Sequence, residues 1–201
     1  MMSTYFTIGH STRPIAEFIE LLQEANVQLV ADVRAIPRSR TNPQYNRDSL
    51  PVTLAKFEIA YRHLSALGGR RRKARGIAPE INGFWRHASF HNFADYAMSS
   101  AFHAGLAELR EAGDERRCAI MCAETLWWRC HRRIIADYLM AAGETVFHIL
   151  GGGHIERATL TPAARLRPDC TLVFPASPRD PSSGSGDKPL GDAGTGAGGA
   201  P

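Results

Sequence analysis

No stretch of the 201 residues approaches the roughly 18 consecutive apolar residues that cross a bilayer as a helix. The opening residues, MMSTYFTIGH, also lack the basic segment and the apolar run of about 7–15 residues that mark a secretory signal. A cytoplasmic protein without a membrane partner is therefore expected. Cysteine is scarce: the four present, Cys118, Cys122, Cys130 and Cys170, follow no framework spacing, and reduced thiols are expected rather than disulfides. A strong charge of one sign is missing too. The formal net charge of +4 permits an anionic partner without requiring one. No internal repeat is visible, and no cofactor is expected.

What is present suits one folded domain. The chain is 44% hydrophobic, and its length matches a single core of about 100–200 residues. From Pro175 onward the composition shifts to PASPRDPSSGSGDKPLGDAGTGAGGAP, which cannot bury enough apolar surface to offset the entropy of ordering it. The expected division is an α/β domain over residues 1–174 and a disordered tail over 175–201.

Short apolar runs alternate with helical patterns along the domain. Strands are expected at Tyr5 to Ile8, Gln28 to Val33, Tyr61 to Leu64, Arg117 to Ala123 and Thr145 to Leu150. Helices are expected around Ile15, Phe18, Ile19 and Leu22, and from Leu50 to Ile59. A further one carries Phe93, Tyr96, Ala97, Phe102, Leu106 and Leu109 and ends near Gly113, and the last runs from Trp127 to Met140. Pro14 suits a first helical position, with Ser11 and Thr12 available as caps. The alternation predicts a mostly parallel sheet with helices on both faces. In such sheets ligands bind beyond the carboxyl ends of the strands. Three polar segments fall there: GHSTR after the first strand, DVRAIPRSR after the second, and CAE followed by CHRR after the fourth.

These segments supply the candidate residues. Cys118, Ile120 and Cys122 alternate on one strand face, so Cys118 reads as a small buried hydrophobe. Cys122 stands nearer the strand end, where Arg129, His131 and Arg132 would lower a thiol pKa; a reactive and a buried structural thiol remain alternatives. Glu124 suits a general base or an ion-pair partner of the guanidiniums. Cys130 precedes Ile134 by four positions, and core packing is the favoured reading for it. His131 and Arg132 open a helix, where positive charge opposes the helix dipole unless something negative is bound. Arg132, with Arg34 and Arg13, is thus expected to face a phosphate or carboxylate. Zinc held by Cys122, Cys130 and His131 is disfavoured, since C-x7-C-H matches no finger or ribbon and adjacent residues project apart on a helix; no metal is expected. The run GGRRRKARG, with Arg70, Arg71, Arg72, Lys73 and Arg75, reads as a solvated basic loop or a nucleic-acid contact.

With TIGHS, DVRAIPRS, LGG, FADYA, CAE and CHRRIIA in this order from Thr7 to about Leu150, the chain resembles the DUF488 family of uncharacterised bacterial and archaeal proteins. The shared polar positions are His10, Ser11, Asp32, Arg34, Pro37, Ser39, Cys122, Glu124, Cys130, His131 and Arg132. The resemblance implies no established activity for any of them. From the residues themselves, an enzyme acting on a phosphorylated small molecule, nucleotide or nucleic-acid end is expected. Cys122, Glu124, His131, Asp32 and His10 are its catalytic candidates, and Ser11, Arg34, Ser39 and Arg132 its substrate contacts. The competing expectation is a non-catalytic nucleotide or nucleic-acid binding module that uses the Arg70 to Arg75 loop. A third is a redox pair of Cys122 and Cys130.

Overall fold

The fold is that of a computed structural model which describes residues 3–176. The tail expected from 175 falls, beyond Ala176, outside the described residues. Five strands run parallel: β1 (Thr4–Gly9), β2 (Leu29–Asp32), β3 (Ala60–His63), β4 (Cys118–Cys122) and β5 (Thr145–Gly151). A sixth, β6 (His154–Arg157), pairs antiparallel with β5, and the order across the sheet is β3-β2-β4-β1-β5-β6. The carboxyl ends of β2, β4 and β1 are therefore neighbours, although they are far apart in sequence. Pairing continues past the strand ends: Val33 N–H donates to the Met121 carbonyl at 3.0 Å, and His10 N–H to the Cys122 carbonyl at 3.0 Å.

The period-2 alternation sorts residues to two cores. Tyr5, Leu29, Ala31, Cys118 and Ile120 face helices α3 (Ala88–Ala97), α4 (Ser100–Glu115) and α5 (Arg132–Ala141). Phe6, Ile8, Val30, Ala119 and Met121 face α1 (Ile15–Glu24) and α2 (Leu50–Ala55). Buried apolar side chains on both faces explain why the strands read as near-continuous hydrophobic runs. Cys118 is fully buried, and burial pushes its thiol up to about 12, which leaves it an inert core residue.

The structure differs from the sequence reading in several places. The helix expected from Phe93 to Gly113 is two, broken where Ser99 caps α4 by accepting from Phe102 N–H at 3.3 Å. Ser11 and Thr12 do not cap α1; Pro14 occupies the cap position without a side-chain bond, and Ser11 takes a φ of 47° in the tight turn after β1. The expected helix from Trp127 divides into a 3₁₀ turn at Trp127–Arg129, an extended Cys130 and then α5. Strand β6 was not expected, because its four residues are mostly exposed and carry no apolar alternation. Gly151, Gly152 and Gly153, all at positive φ, make its tight turn. A short hairpin of β7 (Arg165–Leu166) and β8 (Leu172–Val173) also lay outside the sequence reading. No helix among the described residues is long and apolar enough to cross a membrane.

Candidate active site

A cleft of about 630 Å³ opens at the carboxyl edge of the sheet. Its wall includes Arg34 and Ala35 after β2, Cys122 to Glu124 after β4, and Arg129 to His131 before α5. Arg38, Gly69, Arg70, Ser89, Ile36 and Phe90 complete it. Four arginines and one carboxylate, Glu124, line it; Arg34 is paired with Asp32 at 2.6 Å and Arg38 with Asp48 at 3.4 Å.

Close backbone packing forms the corner. A Cβ at Gly9 would lie 2.0 Å from the Glu124 carbonyl oxygen, so the turn after β4 rests directly on the end of β1. From there the chain turns through Trp127 and Trp128 and returns Cys130 and His131 beside Cys122. One atom from each of Cys122, Cys130 and His131 lies within 4.8 Å of the others. His131 Nε2 lies 3.1 Å from the Val33 carbonyl, which can only accept, so Nε2 carries a proton. Nδ1 is left facing the sulfurs, 3.6 Å from Cys130 Sγ and 4.0 Å from Cys122 Sγ. Phe93 packs edge-on to the ring with centroids 4.9 Å apart.

Arg132 is the unusual member. It is 1% exposed, and its Nη2 donates to the carbonyls of Glu124 at 2.5 Å and Thr125 at 3.3 Å. Its Nε donates to Cys130 Sγ at 3.3 Å. Among the described residues no carboxylate forms an ion pair with it. A guanidinium does not deprotonate in a protein, and a buried charge without a counter-charge costs several kcal/mol, roughly 3–5 by measured pair disruptions. Cys130 Sγ is the atom in contact with it that can become negative. Burial alone would push the Cys130 thiol up. The Cys122 thiol, Arg132 and His131 outweigh burial and hold Cys130 well below the ordinary thiol range. Cys122 moves the other way, raised by its hydrogen bond to Cys130 and by burial. The two opposite shifts make Cys130 the more acidic thiol of the pair.

The other expected site residues sit behind the cleft or beside it. Asp32 is fully buried; its oxygens accept from Arg34 Nε at 2.9 and 3.1 Å, Arg34 Nη2 at 2.6 Å and the Tyr61 hydroxyl at 2.7 Å. His10 Nε2 accepts from Arg34 Nη1 at 3.2 Å while Nδ1 donates to the Ser11 carbonyl at 2.8 Å. Burial pushes His10 down to about 4, so its ring is neutral at neutral pH. Neither Asp32 nor His10 lines the cleft; both hold Arg34, which does. Ser11 N–H donates to the Ala123 carbonyl at 2.9 Å, and Ser39 shapes the loop after β2 by bonding Asn42 and Asn46. Arg13 ties the ends of β1 and β5 together through the Gly9 and Leu150 carbonyls. In the basic loop, Arg71 is committed to the Ser65, Ala66 and Gly68 carbonyls and to the Tyr96 ring 3.6 Å away. Arg70 reaches the cleft wall, and Arg72, Lys73 and Arg75 are exposed.

Two sequence readings require correction on geometry. Cys130 is not on the apolar face of a helix, because α5 begins at Arg132 and Cys130 is extended before it. The same extended backbone lets Cys130 and His131 converge, which the helical reading did not allow. Two thiols and an imidazole at these separations are a donor set of the kind that would suit a soft divalent ion. The guanidinium against Cys130 already supplies the positive charge that a thiolate needs.

Gly69 completes the pocket floor. A Cβ there would lie 2.5 Å from His131 Nδ1, so Gly69→Ala is expected to push the ring off the sulfurs and destabilise the fold by about 1–3 kcal/mol. Denaturant unfolding and thiol labelling of the variant check both effects; unchanged labelling at Cys130 would mean that the ring position does not matter.

No curated protein and no solved structure matches the chain. The family model for the domain of unknown function DUF488 matches residues 14–139, a span that encloses Arg34, Cys122, Glu124, Cys130, His131 and Arg132. Since the match covers more than half of the 201 residues, the chain belongs to the DUF488 family.

Proposed function

We propose that the protein is a thiol-dependent enzyme which acts on an anionic small molecule in the arginine-walled cleft. Phosphorylated metabolites, nucleotides and nucleic-acid ends fall within that substrate class. The observation that carries this reading is the buried Arg132 guanidinium, 3.3 Å from Cys130 Sγ and without a carboxylate partner among the described residues. A thiolate, not a thiol, is the nucleophile, and guanidinium contact is one of the ways proteins make one. His131 Nδ1 faces both sulfurs and is placed to move a proton between them and a leaving group. Glu124, exposed on the wall, is the carboxylate available for a second proton transfer. Arg34, Arg38, Arg70 and Arg129 would attract and orient the anion.

Labelling with iodoacetate and iodoacetamide tests this reading, with free cysteine as the reference for intrinsic reactivity. Cys130 is expected to be alkylated ahead of Cys118 and Cys122. The anionic reagent should be favoured over the neutral one by on the order of tenfold at low salt, and the preference should shrink as salt rises. Labelling confined to the exposed Cys170 would overturn the reading.

A binding role without catalysis has one observation in its favour, the exposed run of Arg72, Lys73 and Arg75. It requires affinity for oligonucleotides that falls steeply with salt and vanishes when these three are neutralised.

A further inference from the structure

Cys122 has features that a purely structural thiol would not need. Cys118, on the same face of β4, is fully buried and away from the cleft wall, whereas Cys122 is half-buried and lines the cleft beside Cys130. Its sulfur lies within 4.8 Å of Cys130 Sγ and 4.0 Å from His131 Nδ1. A disulfide needs a sulfur separation of about 2.05 Å, so closure asks for a movement of less than about 3 Å in two side chains at a strand end and a loop. A second thiol poised on a nucleophilic sulfur has a chemical use when the covalent intermediate can be displaced at that sulfur. Disulfide exchange meets that condition. The wall combines arginines with the apolar Ile36 and Phe90, which suits an organic molecule bearing carboxylates.

We propose that Cys122 is the resolving thiol of the site, and that the cleft takes a small disulfide carrying carboxylate groups. The proposal rests on Cys130 being the nucleophile and names the substrate class for it. In the first step the Cys130 thiolate attacks one sulfur of the substrate disulfide. A bond forms between Cys130 Sγ and that sulfur, the substrate S–S bond breaks, and the first sulfur leaves as a thiolate between the arginines of the wall. In the second step His131 Nδ1 takes the proton of Cys122, whose sulfur attacks Cys130 Sγ. The Cys122–Cys130 disulfide forms, the mixed disulfide breaks, and the second thiolate leaves with the proton that His131 had taken. One substrate disulfide is reduced to two thiols while the cysteine pair loses two electrons. The reverse sequence, driven by an external thiol, restores the pair.

The test uses the full chain with Cys170→Ser, in chelating buffer, and 5,5′-dithiobis(2-nitrobenzoate), a dianionic disulfide, as the probe. Two coloured thiolates per probe molecule are expected to be released, with no adduct on the protein and a disulfide between Cys122 and Cys130 by peptide mass. With Cys122→Ser, and independently with Cys122→Ala, a single thiolate should be released and the adduct should stay on Cys130. An adduct that persists on Cys130 when Cys122 is present would overturn the resolving role and leave Cys130 standing as a nucleophile. No adduct on Cys130 in any of these proteins would instead overturn the proposed function itself. The charged probe should outpace the neutral 2-hydroxyethyl disulfide by on the order of tenfold after normalisation to free cysteine; equal normalised rates would sink the substrate class.

Discussion

Asp32→Ala is expected to lower the unfolding free energy by about 3–5 kcal/mol, the range found when one partner of a buried ion pair is removed. The side chains of Asp32 and Arg34 are 0% and 6% exposed, and they meet at 2.6 Å. Without the carboxylate, Arg34 keeps the Tyr45 carbonyl and His10 Nε2 as partners, neither of which carries negative charge. The Tyr61 hydroxyl loses its acceptor at the same time. Because a domain of this size is stabilised by only about 5–15 kcal/mol, the loss should appear as a large drop in urea midpoint with little change in slope. If Asp32 instead served as a catalytic base at the cleft, its removal would abolish reactivity while leaving the midpoint in place. The two outcomes separate a residue that positions Arg34 from one that touches substrate.

Arg132→Met is expected to lower the reactivity of Cys130 at pH 7 by at least about 30-fold, because an ordinary thiol with a pKa near 8.5 is only about 3% ionised there. Burial then acts unopposed by the guanidinium, which pushes the thiol further up. Methionine retains much of the volume, so cavity formation contributes little, although the carbonyls of Glu124 and Thr125 each lose a donor. Arg132→Lys keeps the charge without the fork that spans Cys130 and the two carbonyls, and should recover part of the reactivity. Mass-resolved labelling of Cys130 in the three proteins provides the comparison. Equal rates in all three would remove Arg132 from the account.

Much of the fold was legible because apolar residues alternate with period 2 in short runs and with helical period between them. The parallel sheet, its two covered faces and the convergence of Gly9, Asp32 and Cys122 at one edge all follow from that pattern. The pairing order was not legible, since β2 lies next to β4 only through contacts that no local pattern encodes. Within the corner, the error at Cys130 was one of phase. Its distance of four from Ile134 has meaning only on a helix, and the helix starts two residues after it. The adjacent His131 and Arg132 were the available signal, and the basic helix start did indicate a missing negative charge. The structure places the Cys130 sulfur against that guanidinium, at 3.3 Å from Nε. Asp32 and His10 read as catalytic because they are polar residues at strand ends. Burial beneath Arg34 is a property of packing, which sequence position alone does not reveal. The loop arginines divided for a similar reason, as Arg71 spends its donors on carbonyls while Arg70 reaches the cleft.

The central claim is that Cys130 is a thiolate held by Arg132. The pH dependence of Cys130 alkylation, read by peptide mass in the otherwise unchanged protein and in Arg132→Met, tests it most directly. The expected midpoint lies well below the roughly 8.5 of an ordinary thiol in the unchanged protein, and shifts to or above that value in the variant. A midpoint at or above the ordinary value in both proteins would contradict it.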